Sequence, residues 1–157
     1  MSDITRVHYS ANPVTKVFNV PLSRQSVGDK PRGLWYSVEG FGDDWKAWCN
    51  AEQFSLDCLS CQTELVVKMG SILALKTVAD LDDFNHEYGT TLLDMPHFID
   101  WGRVAKKYSG IEIAPYQWDR RLWGKCRWYY GWDCASGCIW RKDGIDLMHK
   151  TKEVNGD

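Results

Sequence analysis

The sequence has no long apolar run. None of its hydrophobic stretches approaches the roughly 20 residues that cross a bilayer, and residues 1–6 lack the apolar stretch of a secretory signal. We therefore expect no membrane association and a cytoplasmic protein. The chain also has no internal repeat and no low-complexity segment, which excludes solenoid and fibrous architectures.

The chain has no strong excess of either charge. Its formal net charge is -2 and its pI is near 6.1, so it carries no general attraction for nucleic acid or anionic membranes. A protein or nucleic-acid partner would have to be recognised through local surface features.

The six cysteines do not form a strong metal-binding motif. Without an export signal we expect reduced thiols. Cys58 and Cys61 have a spacing that suits zinc, but Cys134 and Cys138 fall in a predicted strand, where residues four apart are separated by about 13 Å. We therefore predict no metal, with a zinc-stabilised domain as a third alternative. A cysteine nucleophile paired with a histidine has no local signature here.

Aromatic residues are abundant instead. They make up 13% of the 157 residues and include nine tryptophans, which is more than ordinary packing requires. Stacking on a sugar, a base or a nicotinamide ring would explain the excess. The length fits one domain with its own core, which we place at residues 1–149, followed by a flexible tail at 150–157.

The chain is organised around residues 30–49. Pro31 and Gly33 predict a turn, residues 34–37 predict a short strand, and an aspartate pair predicts the cap of a helix that carries Trp45 and Trp48 on one face. A strand ending in aromatic and hydroxyl groups beside a short helix can wall a flat ligand. The alternative is that these tryptophans belong to the core.

The remaining predicted elements are short strands and helices. Two apolar runs, 64–69 and 71–76, predict a strand with a bulge or a hairpin. Thr77 predicts the N-cap of a helix that ends at Gly89, with Asp80 completing a capping box. Further predicted elements are a strand over 5–10, a helix with an apolar face from Phe98 to Tyr108, a strand over 110–113, and one or two core strands within 128–140.

Two carboxylates are candidates for chemistry. Glu112 lies within a short apolar strand and Asp133 lies beside one, where an acid is costly unless it is paired or used. Glu112 alternates with two isoleucines and could instead face solvent. Asp133 could instead cap a turn.

The order of these motifs resembles the ADP-ribosyltransferase superfamily. That family opens with a strand carrying His and then a small or hydroxyl residue, and Val7-His8-Tyr9-Ser10 is similar. Its second signature is a strand of glycine, apolar, aromatic and small residues before a helix, and Gly33-Leu34-Trp35-Tyr36-Ser37 with residues 45–49 is similar. The resemblance implies a single α+β domain with a split antiparallel or mixed sheet flanked by short helices.

The resemblance also implies an activity, the transfer of ADP-ribose from NAD, as substrate, to a macromolecular or small acceptor. His8 would bind the ribose, Tyr36 or Trp35 would stack on nicotinamide, and Ser37 would support the ring. The implied NAD-binding residues are His8, Tyr9, Gly33, Leu34, Trp35, Tyr36, Ser37 and Trp45. The implied catalytic residues are His8 and either Glu112 or Asp133.

The position of the acid is where this sequence departs from the family pattern, because two carboxylates compete for one role. The chemistry needs an acid, since cleavage of the nicotinamide bond passes through a cationic, oxocarbenium-like state that a carboxylate stabilises. A non-catalytic nucleotide-, sugar- or protein-binding module with an aromatic groove, such as an inhibitor, is therefore the alternative function.

Overall fold

The computed structural model of the chain describes residues 3–90, 98–148 and 152–153. It is an α+β domain built on a mixed sheet in the order β10-β4-β1-β3-β9-β8-β5, with β11 also paired to β4. Only the β5–β8 pair is parallel among the strands of this sheet that the structure describes. Its strands are β1 (Thr5–Ser10), β3 (Leu34–Glu39), β4 (Cys61–Val67), β5 (Ile72–Leu75), β8 (Gly110–Ile113), β9 (Ser136–Ile139), β10 (Ile145–Met148) and β11 (Lys152–Glu153).

A second, antiparallel sheet is small and has the order β2-β7-β6. Its strands are β2 (Val27–Gly28), β6 (Gly89–Thr90) and β7 (Phe98–Asp100). The α-helices are α1 (Trp45–Glu52), α2 (Val78–Tyr88) and α3 (Trp101–Lys107). No helix in the described ranges is both long and apolar enough to span a membrane.

The predicted helix caps are present. The Asp44 side chain accepts a hydrogen bond from Ala47 N at the start of α1. Thr77 and Asp80 form the reciprocal capping box of α2, and Gly89 follows its last turn. Each cap satisfies backbone N–H groups that a helix start leaves without partners. The confirmed caps fix where α1 and α2 begin.

Two apolar clusters lie on the two faces of the main sheet. The larger one packs α2 and α3 against β5, β8 and β9, and four tryptophans in it or at its edge are almost fully buried: Trp101, Trp128, Trp132 and Trp140. The smaller one joins Tyr36 and Val38 of β3 to Leu65 and Val67 of β4. These four tryptophans belong to the core. Trp45 and Trp48, for which core packing was the alternative interpretation, are only partly buried, and so is Trp35.

Glu112 is the centre of a polar cluster on the face of the smaller core. Arg6 donates to both of its carboxylate oxygens, with N–O distances of 2.6 and 3.0 Å, and the Tyr36 hydroxyl donates at 2.9 Å. Tyr36, Gly137 and Glu112 lie side by side in register on three adjacent strands. A Cβ at residue 137 would overlap the Tyr36 ring, so the glycine lets this ring cross β9 and reach the carboxylate.

The contact between Arg6 and Glu112 requires a curved sheet. β1 and β8 are separated by β3 and β9, and three interstrand spacings span about 14 Å in a flat sheet. Arg6 nevertheless contacts Glu112 across that gap. Curvature brings the two strands toward each other on this face, and it encloses the carboxylate, whose side chain is 7% exposed.

Three predictions about the elements are wrong, and the prediction of one or two core strands within 128–140 holds for one short buried strand. Residues 64–69 and 71–76 form neither a hairpin nor one bulged strand, because β4 and β5 lie far apart in the sheet order. The second predicted helix begins at Trp101, capped by Asp100, and Phe98 belongs to β7. Of the run 128–140, the start is 3-10 helical and only Ser136–Ile139 is a strand. Cys134 therefore precedes the strand in which it was predicted.

The prediction of a flexible tail at 150–157 falls mostly outside the described residues. Within it, Lys152–Glu153 pairs with β4 as β11.

The strand β5 ends the described sheet opposite β10. A groove of about 190 Å³ runs between it and α2, and three carboxylates line this groove: Asp80, Asp83 and Glu87. The edge is therefore acidic as well as partly apolar.

We expect Glu112→Gln to lower the free energy of unfolding by about 3 kcal/mol, because it leaves the Arg6 charge beside a neutral group in a largely buried site. The matched control is Asp82→Asn, which removes the carboxylate of another bidentate arginine pair, Arg120–Asp82, whose carboxylate side chain is 35% exposed. That pair should contribute less than about 1 kcal/mol. Urea titration of both variants measures the difference, and equal losses would contradict the central role of Glu112.

Candidate functional site

One cleft of about 300 Å³ lies beside the β1–β3 pair. Its walls come from these two strands, from the start of α1, from the 3-10 turn Leu56–Leu59 that follows it, and from the loop before β9. Seven of the sequence-predicted site residues line it: His8, Tyr9, Trp35, Tyr36, Ser37, Trp45 and Asp133. Segments that are more than 120 residues apart in the chain therefore share one cavity.

Three tryptophans line the cleft: Trp35, Trp45 and Trp132. Trp35 meets Trp132 edge to face, with 4.9 Å between the ring centroids. Trp45, at the start of α1, stacks on Trp48 at 5.2 Å, with an interplanar angle of 13°. Because each ring packs on another aromatic ring, the walls are held in place before a ligand arrives.

Serine hydroxyl groups also belong to the lining. Ser37 and Ser136 face each other as neighbours in the β3–β9 register, and both border the cleft. The Ser37 hydroxyl oxygen accepts from Trp45 N at 2.9 Å, so the strand fixes the first turn of α1. The Ser136 hydroxyl donates to Cys134 O at 3.0 Å. These oxygens retain acceptor capacity for a ligand.

His8 borders the cleft with a defined tautomer. Its Nδ1 is within hydrogen-bond distance of the Trp35 carbonyl oxygen. A carbonyl only accepts, so Nδ1 carries the proton and Nε2 is left as an acceptor. Burial lowers the pKa of His8, which keeps the ring neutral at neutral pH. His8 therefore contributes a neutral ring with one hydrogen-bond acceptor, Nε2, to the lining.

Tyr9 borders the cleft as well, and its hydroxyl donates to the Glu39 carboxylate. Burial raises the pKa of Tyr9, and the neighbouring Glu39 adds to the effect. The hydroxyl is therefore a neutral donor, and it is already committed to a partner within the fold.

Asp133 is the carboxylate of the cleft. It follows Trp132 directly, and its Oδ1 is 3.5 Å from a guanidinium nitrogen of Arg121. Arg121 is itself held by the Tyr116 hydroxyl at 2.8 Å and lies 5.1 Å from the centre of the Tyr130 ring. The arginine contacts one carboxylate oxygen, and the second oxygen has no hydrogen bond within the described part of the chain.

Glu112 does not line the cleft. Side chains alternate along a strand, so Trp35 and Ser37 project from the face opposite to Tyr36, and Glu112 is bound to Tyr36 on that other face. All three of its short contacts are to Arg6 and Tyr36. Of the two acids that the sequence singled out, Asp133 is therefore the one that the fold brings to the aromatic wall.

Two other predicted residues also lie outside the lining. Gly33 packs against β9 so closely that a Cβ would meet the Ile139 carbonyl, and Leu34 packs against the smaller core. Gly33 and Leu34 therefore have structural positions in the strand signature, since the glycine allows β3 to begin alongside β9.

The sequence analysis missed part of the lining. Strand pairing, which a sequence alone does not reveal, brings Ser136 beside Ser37. Trp132 could have been found as the aromatic neighbour of Asp133. The lining residues missed as site candidates are Val7, Lys30, Ser55, Cys58, Trp132, Cys134 and Ser136.

The cysteines differ in their surroundings. Cys58 lines the cleft and is partly exposed, whereas the other five free thiols are buried. Burial raises the pKa of Cys126 and of Cys134 to about 12, which suppresses their reactive thiolate form. Within the described ranges, no group of three or more His, Cys, Asp and Glu side chains could hold a metal ion.

Comparisons of this chain with protein-family models, with curated proteins and with solved structures give no match. The arrangement of the cleft is thus the basis for any assignment of function.

We expect a small maleimide to label the native protein at a single cysteine, Cys58, because the remaining thiols are buried. Intact-mass spectrometry should show one adduct on the native protein and none on Cys58→Ser, while the urea-unfolded variant should take up five. More than one adduct on the native protein, or an adduct on native Cys58→Ser, would contradict the described cleft wall.

Proposed function

We propose that the cleft binds the flat ring and adjoining sugar of a nucleotide-type ligand, with the nicotinamide riboside portion of NAD as the ligand to test first. The observation that carries the proposal is the convergence of Trp35, Trp45 and Trp132 on a cleft that also holds Ser37 and Asp133. Aromatic walls with a few polar groups are typical of ligand sites.

The size of the cleft restricts the part of a ligand that it encloses. At about 300 Å³, it lies at the lower end of the range for small-molecule sites, about 300 to 1,000 Å³. One ring and one sugar fill such a volume. A dinucleotide would therefore place only its nicotinamide end inside, with the remainder at the mouth.

A chemical role for each wall follows. An indole face stacks on the ring, Ser37 and Ser136 offer hydroxyls to a carboxamide, and His8 Nε2 accepts from a ribose hydroxyl. Each role uses a group whose position is already fixed by a second contact within the fold. Preorganisation of this kind lowers the entropic cost of binding.

Isothermal titration calorimetry of the protein with NAD tests the binding proposal. We expect Trp35→Leu to weaken binding by about tenfold or more, since one aromatic stacking contact is worth about 1–3 kcal/mol. Trp123→Leu is the matched control, because Trp123 is also partly buried at the edge of the larger core and also carries a lysine ammonium 5.6 Å from its ring. Equal effects of the two substitutions, or no binding of NAD by the wild type, would overturn the proposal.

The second candidate function is turnover of the bound ligand, in which ADP-ribose is transferred from NAD to a protein, nucleic-acid or small acceptor. The observation that favours it is the Asp133 carboxylate in the lining of the cleft. In this reaction the bond between C1′ and the nicotinamide nitrogen breaks, and its electron pair leaves with nicotinamide. The acceptor oxygen or nitrogen then forms a bond to C1′ and releases its proton to the solvent. A carboxylate near C1′ stabilises the cationic state between these events.

We expect nicotinamide release to fall by about 100-fold in Asp133→Asn, which corresponds to about 3 kcal/mol of transition-state stabilisation. Glu112→Gln, assayed at a temperature where it stays folded, should keep most of the activity. Release can be followed by chromatography, with water as the default acceptor. Activity that survives Asp133→Asn but not Glu112→Gln would assign the acid to Glu112, and activity unaffected by both would remove the acid from the mechanism.

A further inference from the structure

Lys30 is the cation of the cleft. Besides the neutral His8, the lining contains one basic and one acidic side chain, Lys30 and Asp133. Asp133 is paired with Arg121. Across the described ranges no ion pair joins a carboxylate to Lys30. Among the lining side chains, the charge without an ion-pair partner in the described residues is therefore the Lys30 ammonium.

The backbone that carries Lys30 is anchored on both sides. Trp132 Nε1 donates to the carbonyl of Asp29 at 3.2 Å, and Trp101 Nε1 donates to the carbonyl of Gly28 at 3.1 Å. Both indoles are almost fully buried. The loop is thus attached to the larger core immediately before Lys30.

A second clamp follows Lys30. The side-chain amide of Gln25 donates to Arg32 O at 2.7 Å and accepts from Arg32 N at 3.0 Å. Gln25 and Pro31 are buried. Both ends of the turn are therefore fixed, and the lysine extends from an ordered backbone with its Nζ 5.6 Å from the centre of the Trp35 ring.

This placement suits an anion on a ring-bearing ligand. Lys30 itself is exposed, so its ammonium lies at the mouth, above one of the indoles that wall the interior. A ligand with its ring and sugar inside would present its 5′ substituent at the mouth. An ammonium with three donors is a common phosphate-binding group.

We propose that Lys30 forms a phosphate subsite at the mouth of the cleft, so that the ligand class is nucleoside 5′-phosphates and their diphosphate-linked derivatives rather than free bases or nucleosides. This inference rests on the proposed ring-binding function, and it adds the chemical class of the ligand and the residue that selects it.

The test compares two ligands that differ by one phosphate, nicotinamide mononucleotide and nicotinamide riboside. We expect the wild type to bind the mononucleotide about tenfold more tightly at low salt, with the ratio decreasing as the ionic strength rises. Lys30→Gln should reduce the ratio to near one by weakening the mononucleotide only. Lys30→Arg should restore most of it.

Lys125→Gln is the matched control, because its ammonium also lies 5.6 Å from an indole, that of Trp123, outside the cleft. It should keep the wild-type ratio. Equal binding of the two ligands by the wild type, or an unchanged ratio in Lys30→Gln, would overturn the phosphate subsite while leaving the ring-binding proposal intact. Failure of both ligands to bind would overturn the ring-binding proposal and the subsite with it.

Discussion

The arrangement of the sheet depends on the contact between Arg6 and Glu112. This ion pair joins β1 to β8 across two intervening strands, and the Tyr36 hydroxyl donates to the same carboxylate. A buried carboxylate without partners would carry a large desolvation cost, so the folded state requires all three side chains to meet. They meet only when β3 and β9 are aligned so that Gly137 lies beneath the Tyr36 ring.

The alignment has a consequence on the opposite face. The β3–β9 register that places Tyr36 next to Gly137 also places Ser37 next to Ser136. One face of the strand pair is used to close a polar cluster in the core, and the other forms part of the cleft. Glu112 thus contributes to the cleft indirectly, through the strand positions that it stabilises, while Asp133 is the acid that lines the cleft.

Local signals in the sequence predicted the starts of α1 and α2 correctly. Asp44, Thr77 and Asp80 act on backbone groups within three residues of themselves, so their roles can be inferred without a tertiary structure. The strand partners could not be inferred in this way. The pairing of β5 with β8, and the wide separation of β4 from β5, depend on contacts between distant segments, and an apolar run next to a glycine is compatible with several pairings.

The same distinction applies to the cleft. Trp35, Ser37 and Trp45 belong to one continuous stretch, and a pattern of strand, turn and capped helix was enough to place them together. Asp133 and Glu112 looked equivalent in sequence, because both are acids at apolar strands. The register of three strands puts the Glu112 side chain on the same face as Tyr36, away from the cleft. This register distinguishes the two acids, and the sequence does not show it. Lys30 had no pattern of its own, since its significance comes from the anchored turn and from the indole beside it.

The acidic groove along β5 bears on self-association. A strand at the edge of a sheet offers backbone groups that can pair with another chain. Two copies that approached through this edge would bring Asp83 and Glu87 of one molecule toward the same residues of the other, and like charges at short range repel. The carboxylates on α2 therefore protect the edge from pairing with itself, while the strand stays short enough, at four residues, to give an incoming chain few positions at which to align.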